Sequence, residues 1–208
     1  MAAPLLPAVA AFGASFGVLA RAAHVGPLAA TVMSATTFAG SSQVAAVSVL
    51  GAGGGVASAI VAALLLNARY APIGISVAQH FRGSVLRRLG EAQLVVDESW
   101  ALAGGGGARF DRRVMLGAGA LLWVGWTGGT AIGAFAGGAI GDPNAFGLDG
   151  AFAALFLALL LGQVRGRRAV AAAVGGAAIA AALTPLARPG IPIVAATVAA
   201  LAGLRRSK

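Results

Sequence analysis

The chain has 208 residues, of which 59% are hydrophobic and 10% charged, whereas soluble domains carry about a quarter charged residues. So few charges cannot cover a folded surface in water, and apolar runs such as Val114 to Gly141 and Ala169 to Ala187 approach or exceed the ~20 residues that cross a hydrocarbon core. The formal charge of +9 comes from arginines clustered between apolar runs, with one tyrosine and no cysteine in the chain, which argues against nucleic acid as a partner and excludes disulfides and thiolate chemistry.

The expected fold is an all-α polytopic membrane protein, a single transmembrane domain over residues 1–208 with about seven helices, some short or broken. A β-barrel would alternate polar and apolar residues in segments of roughly ten, and these leucine, alanine and valine blocks do not alternate. The first helix is predicted near 4 to 20; it lacks the basic n-region of a cleaved signal peptide. Within it GASFG, residues 13 to 17, fits the G-x-S-x-G nucleophile elbow, but that motif needs a strand–turn–helix setting. Ser15 is therefore kept only as the nucleophile of an alternative reading, an intramembrane serine hydrolase. His24 and His80 fall near predicted helix ends, and neither is an obvious base for it.

The stretch from Ala22 to Arg69 is too long for one pass, and GAGGG at 51 to 55 is the best turn within it. That places a second helix near 25 to 50 and a third near 56 to 79. The second contains TTFAGSSQ, residues 36 to 43. Counting from Val25, Gly40 to Gln43 fall roughly 23 Å along the axis, a little past the midplane of a ~30 Å core. Gly40 lets the backbone leave helical geometry, and an unwound turn at Gly40, Ser41, Ser42 and Gln43 would offer N–H groups, hydroxyls and an amide to a substrate carboxylate. Small residues that merely pack helices are the competing reading, although an intramembrane amide needs partners. The third helix buries Asn67 and Arg69 in LLLNARYAP. An intramembrane arginine is expensive and marks a function or a partner, and a buried pair is expected here.

A mostly polar segment, 80 to 113, carries Arg82, Arg87, Arg88, Arg109, Arg112 and Arg113. Inside it QLVVDESWALA is apolar enough to dip into the membrane as a re-entrant helix, bringing Asp97 and Glu98 as partners for Arg69 or as proton carriers; a solvated capping acid is the plainer reading. The fourth helix, near 114 to 139, leads a stripe of Gly125, Gly129, Gly133, Gly137 and Gly141. Such a stripe allows close backbone approach, either within the chain or to another subunit. Trp123 and Trp126 are expected as interfacial belt residues. Further helices are predicted near 148 to 164, 168 to 187 and 190 to 204, with Asp149 at the head of the first. By the positive-inside rule, the 80 to 113 segment, Arg165, Arg167, Arg168 and the basic tail are cytoplasmic, Arg21 agrees, and the N-terminus lies outside. No sequence pattern supplies metal ligands or asks for another cofactor, and GAGGGV misses the dinucleotide fingerprint at its last glycine.

FGASFGVLA (12 to 20), GPLAATVMSATTFAGSSQ (26 to 43), LLNARY (65 to 70), VVDESWAL (95 to 102) and GDPNAFGLDGAFAALFLALL (141 to 160) together, in this order, resemble the AzlC family. The resemblance covers most of the chain. It implies the large subunit of a bacterial branched-chain amino acid exporter in the cytoplasmic membrane, not an enzyme. Such a subunit would move valine, leucine, isoleucine and methionine by secondary efflux coupled to protons, and would need a small AzlD-type membrane partner. Combined with the residues, it gives an expected site: carboxylate at Gly40 to Gln43 with Asn67 or Arg69, ammonium at Asp97 or Asp149, and side chain near Phe38 and Phe156. A non-transporting assembly subunit is the third reading.

Overall fold

The computed structural model describes residues 2–104, 110–137, 157, 160–161, 164, 166–187 and 191–199. Every regular element among them is helical. After a 3-10 turn at Ala3–Leu5, α1 spans Leu6–Ala22. It closes where His24 takes the left-handed conformation (φ 61°) and the Val25 N–H bonds back to the Ala20 carbonyl at 2.8 Å, a Schellman ending.

The scaffold is a seam between α1 and the long α8, Arg112–Ala136. Small residues interdigitate along it. A Cβ on Gly129 would collide with the Ala10 carbonyl, one on Gly133 with that of Ala14, and reciprocally one on Gly13 with Trp126 O and one on Gly17 with Thr130 O. Gly125 faces Leu6 and Gly137 faces Val18 in the same register. The glycine stripe, as far as Gly137, is therefore spent on packing within the chain, and GASFG is a small-xxx-small contact for close helix approach. Gly141 lies outside the described residues.

The order of these pairs, 6 with 125 through 18 with 137, shows that α1 and α8 run parallel. Arg21, at the end of α1, donates to the Ala134 carbonyl at 3.2 Å, whereas Arg112 and Arg113 open α8 at its other end. The expectation that Arg21 shares a side with the 80 to 113 arginines is corrected. The physical reason lies in the predicted second helix, which does not cross. It is two short helices, α2 (Pro27–Thr37) and α3 (Gly40–Gly51), broken at Phe38–Ala39. Each is about 18 Å long at most, short of a ~30 Å core. A Cβ on Gly51 would lie 3.2 Å from that of Ala23, so the pair returns to the end at which it started.

The crossing is made instead by α4 (Val56–Asn67) and α5 (Tyr70–Ala78), bent by 47° with respect to each other. The predicted third helix is thus interrupted at Ala68–Arg69, because Pro72 has no N–H for the Ala68 carbonyl and crowds it. Val77 packs with Ala103 and Met115, near the start of α8. From that end α6 (Val85–Ala92) leads into a segment that dips inward and returns as α7 (Asp97–Leu102). Leu94 reaches Gly119, Asp97 reaches Arg69, and Ala103 is back beside Met115.

Beyond α8 lie α9 (Arg167–Leu183) and α10 (Ile191–Ala196), followed by a 3-10 turn at Thr197–Ala199. Among the described residues α1 with its leading turn and α8 are long and apolar enough to cross a membrane, and the bent α4–α5 pair is so when its two helices are taken as one span; the predicted seven passes are not reached there. Leu28, Val32, Leu64, Ile75, Ile132 and Phe135 are exposed, as befits surfaces facing lipid tails.

Candidate functional site

The breaks at 38–39 and 68–69 and the start of α7 converge. Arg69, the residue before α5, donates from Nη2 to Ser41 Oγ at 2.8 Å and lies 3.1 Å from Asp97 Oδ2. Its guanidinium stands 5.2 Å from the centroid of the Tyr70 ring, a cation–π distance. The two side chains of the ion pair keep 36% and 34% of their surface open, onto a cavity of about 250 Å³. Gly40, Ser41, Arg69, Asp97 and Glu98 line its polar side. Val9, Phe12, Phe38 and Leu122 line its apolar side. The N–H groups of Gly40, Ser41 and Ser42 head α3 with no intrahelical acceptor, and the helix dipole favours an anion there.

Why the chain breaks at this point follows from its side chains. Gln43 Oε1 accepts from the Ala39 N–H at 3.1 Å, satisfying a donor the break would orphan, and Ser42 Oγ donates at 2.8 Å to the Ala39 carbonyl, which also accepts the first helical bond of α3 from the Gln43 N–H. Gln43 also closes a ring of hydrogen bonds. Its Nε2 donates to Ser34 Oγ (3.0 Å), Ser34 to Thr130 Oγ1 (2.8 Å), Thr130 to the Trp126 carbonyl (2.9 Å), and the Trp126 indole N–H back to Gln43 Oε1 (3.1 Å). All four residues are buried. A Cβ on Gly40 would lie 2.9 Å from the Trp126 ring, so glycine is what lets the indole lie against the tip.

Ser41, Arg69, Asp97 and Glu98 thus come together at the cavity, with Gly40. Ser42 and Gln43 sit behind it, fully buried. Asn67 lines a second cavity instead. Asp149 and Phe156 lie outside the described residues. The unwound residues are Phe38 and Ala39, not Gly40 to Gln43, which form the first turn of α3. Trp126 is corrected from a belt residue to an internal one, buried and donating to Gln43, whereas Trp123 is half-buried and donates to the Ala35 carbonyl at 2.9 Å. Ser34, Thr130 and Tyr70 were not read from sequence; an intramembrane hydroxyl that needs a partner was the available signal for the first two. Ser15 donates to the Ala11 carbonyl of its own helix at 3.0 Å. No group of three metal-ligating side chains occurs among the described residues.

Two interrupted elements entering from opposite ends meet a bent helix pair around a charged cavity, and the apolar helices around them are those of a membrane protein. The chain belongs to the AzlC family: the family model described as AzlC protein matches residues 4–140. It is also similar to a protein of Archaeoglobus fulgidus described as an uncharacterized membrane protein, 32% identical over 200 residues that cover 94% of this chain and 87% of the relative. No solved structure matches the chain.

Proposed function

We propose that the chain is the large subunit of a secondary-active exporter of branched-chain amino acids, valine, leucine, isoleucine and methionine, in the cytoplasmic membrane. The observation that carries this reading is the Ser41–Arg69–Asp97 cluster on an otherwise largely apolar cavity. A zwitterion complements it group by group. The substrate carboxylate takes Arg69, the Ser41 hydroxyl and the free N–H groups of α3; the ammonium takes Asp97, with Glu98 beside it; the aliphatic side chain lies against Val9, Phe12, Phe38 and Leu122. One internal ion pair is replaced by two at no change in net charge. Gln43 holds the tip rather than the substrate.

Proton coupling follows if a carboxyl group at Asp97 or Glu98 takes up a proton, because a neutral acid no longer holds the ammonium and the two states of the carrier then differ in affinity. Activity is expected to require a small AzlD-type subunit, docked elsewhere than on the glycine stripe that α1 already covers. The test is efflux of valine and leucine from cells loaded with dipeptides. Efflux is expected to rise only when both subunits are present, and to be lost in Asp97→Asn and Arg69→Ala despite normal membrane levels. Wild-type rates in both variants would overturn the site. No observation favours the hydrolase reading, because Ser15 sits in the α1–α8 packing motif.

A further inference from the structure

A second cavity, of about 280 Å³, lies beside the first. Among the described residues Phe38 and Tyr70 alone line both. The chain passes from one cavity to the other at three places: Thr37 and Ala39 face the second and Gly40 and Ser41 the first; Asn67 the second and Arg69 the first; Val95 the second and Val96 and Asp97 the first. These are the α2–α3 break, the α4–α5 bend and the link into α7. The second cavity reaches Val77 and Phe81, toward the end where the helices carry Arg82, Arg87 and Arg88.

We propose that the second cavity is a separate station on the substrate's path, for the same zwitterionic amino acid, and that the rings of Phe38 and Tyr70 are the barrier between the two stations. This rests on the transport reading above. Phe38 carries the barrier in a left-handed backbone conformation (φ 43°), which costs a bulky residue strain and persists where the surroundings enforce it. A residue without a side chain would sit there without strain, so the ring itself is the feature retained. Because the wall runs through three points where helical hydrogen bonding is already interrupted, it can shift without breaking a helix. Asn67, whose Oδ1 is buried without a partner among the described residues, stands at this wall and gains one when a ligand or a moved backbone reaches it.

The absence of cysteine from the chain makes the test direct. Single cysteines are placed at Ser41, Asn67 and the exposed Arg88, and membrane vesicles of both orientations are treated with an impermeant thiol reagent. From the face on which Arg88→Cys reacts, Asn67→Cys is expected to react and Ser41→Cys to react about tenfold more slowly, since modification follows access to the thiolate. Adding Phe38→Gly, or Tyr70→Ala as a second variant, is expected to bring Ser41→Cys up to the rate of Asn67→Cys. The proposal is overturned if Ser41→Cys already reacts from that face as fast as Asn67→Cys with both rings present, a comparison that needs no ring variant. It is also overturned if neither ring variant speeds it. No amino acid is present in this assay, so a failure of the export reading shows in efflux and a failure of the barrier shows in labelling.

Discussion

Gln43 satisfies a backbone N–H, an indole N–H and a hydroxyl at once. Replacing it with leucine leaves the Ala39 and Trp126 N–H groups without an acceptor and the Ser34 oxygen without its donor in a dry interior, at about 1–3 kcal/mol for each orphaned N–H. Gln43→Leu is therefore expected to lower the unfolding midpoint in detergent micelles clearly more than Ser42→Ala, whose hydroxyl serves one carbonyl; equal midpoints would argue against the ring. At this scale the sequence is informative where a polar group is costly. Ser41, Arg69, Asp97 and Glu98 stand out because each interrupts an apolar run, and all four reach the cavity. Trp126 does not stand out, because a tryptophan near a predicted helix end reads as an interfacial anchor until its buried partner is known.

Glu91 adds a pH dependence outside the spanning helices. Arg112 donates to both of its oxygens and Arg87 to one, joining α6 to the start of α8. The Arg112 hydrogen bond, aided by Arg87, holds this carboxyl below its ordinary value. The stabilisation is thus fully present above the unfolded carboxyl value of about 4.3 and is lost as pH falls through the lower folded value. A melting curve in detergent is expected to be flat from neutral pH down to that point and to fall below it, and Glu91→Gln to lose that acid limb.

Among the elements, α8 carries glycines on two faces. Gly129 and Gly133 touch α1, whereas a Cβ on Gly117 or Gly128 would meet nothing within 4 Å. Gly129→Val is expected to destabilise by at least the ~1–3 kcal/mol of an overpacked contact, while Gly128→Ala is expected to stabilise by up to ~1 kcal/mol through helix propensity; thermal unfolding of the two variants separates packing from composition. The spacing of four made this seam visible in sequence, though not its partner. The helix breaks were less legible. Phe38–Ala39 contains neither glycine nor proline, and its break is held by side chains that follow it, Gln43 on the Ala39 N–H and Ser42 on the Ala39 carbonyl. The bend at Arg69 did have a signal in Pro72, four residues after the carbonyl it cannot serve.

For the whole molecule, the parallel run of α1 and α8 puts the end of α1 and the start of α8 at opposite ends of the pair. A cysteine at Ala22 and one at Arg88 are expected to react with impermeant reagent from opposite faces; reaction from one face would restore the arrangement in which every arginine cluster is cytoplasmic. Counting charges could not reveal this, because the rule weighs clusters between passes and a re-entrant pair mimics a pass in length and hydropathy. The 25 residues from Pro27 to Gly51 would suffice for one crossing, yet they return to their starting end.

The α1–α8 seam has a consequence for biogenesis. Its two halves are separated by 89 residues of chain, from Ala23 to Asp111, so α1 leaves the insertion machinery with Gly13 and Gly17 facing lipid and must wait while both dipping segments and the bent span are made. Contacts so distant along the chain close slowly. The last scaffold element to be synthesised is thus the one that seals the first, and a chain halted before α8 would present an open, glycine-lined groove to whatever membrane quality control surveys unfinished helices.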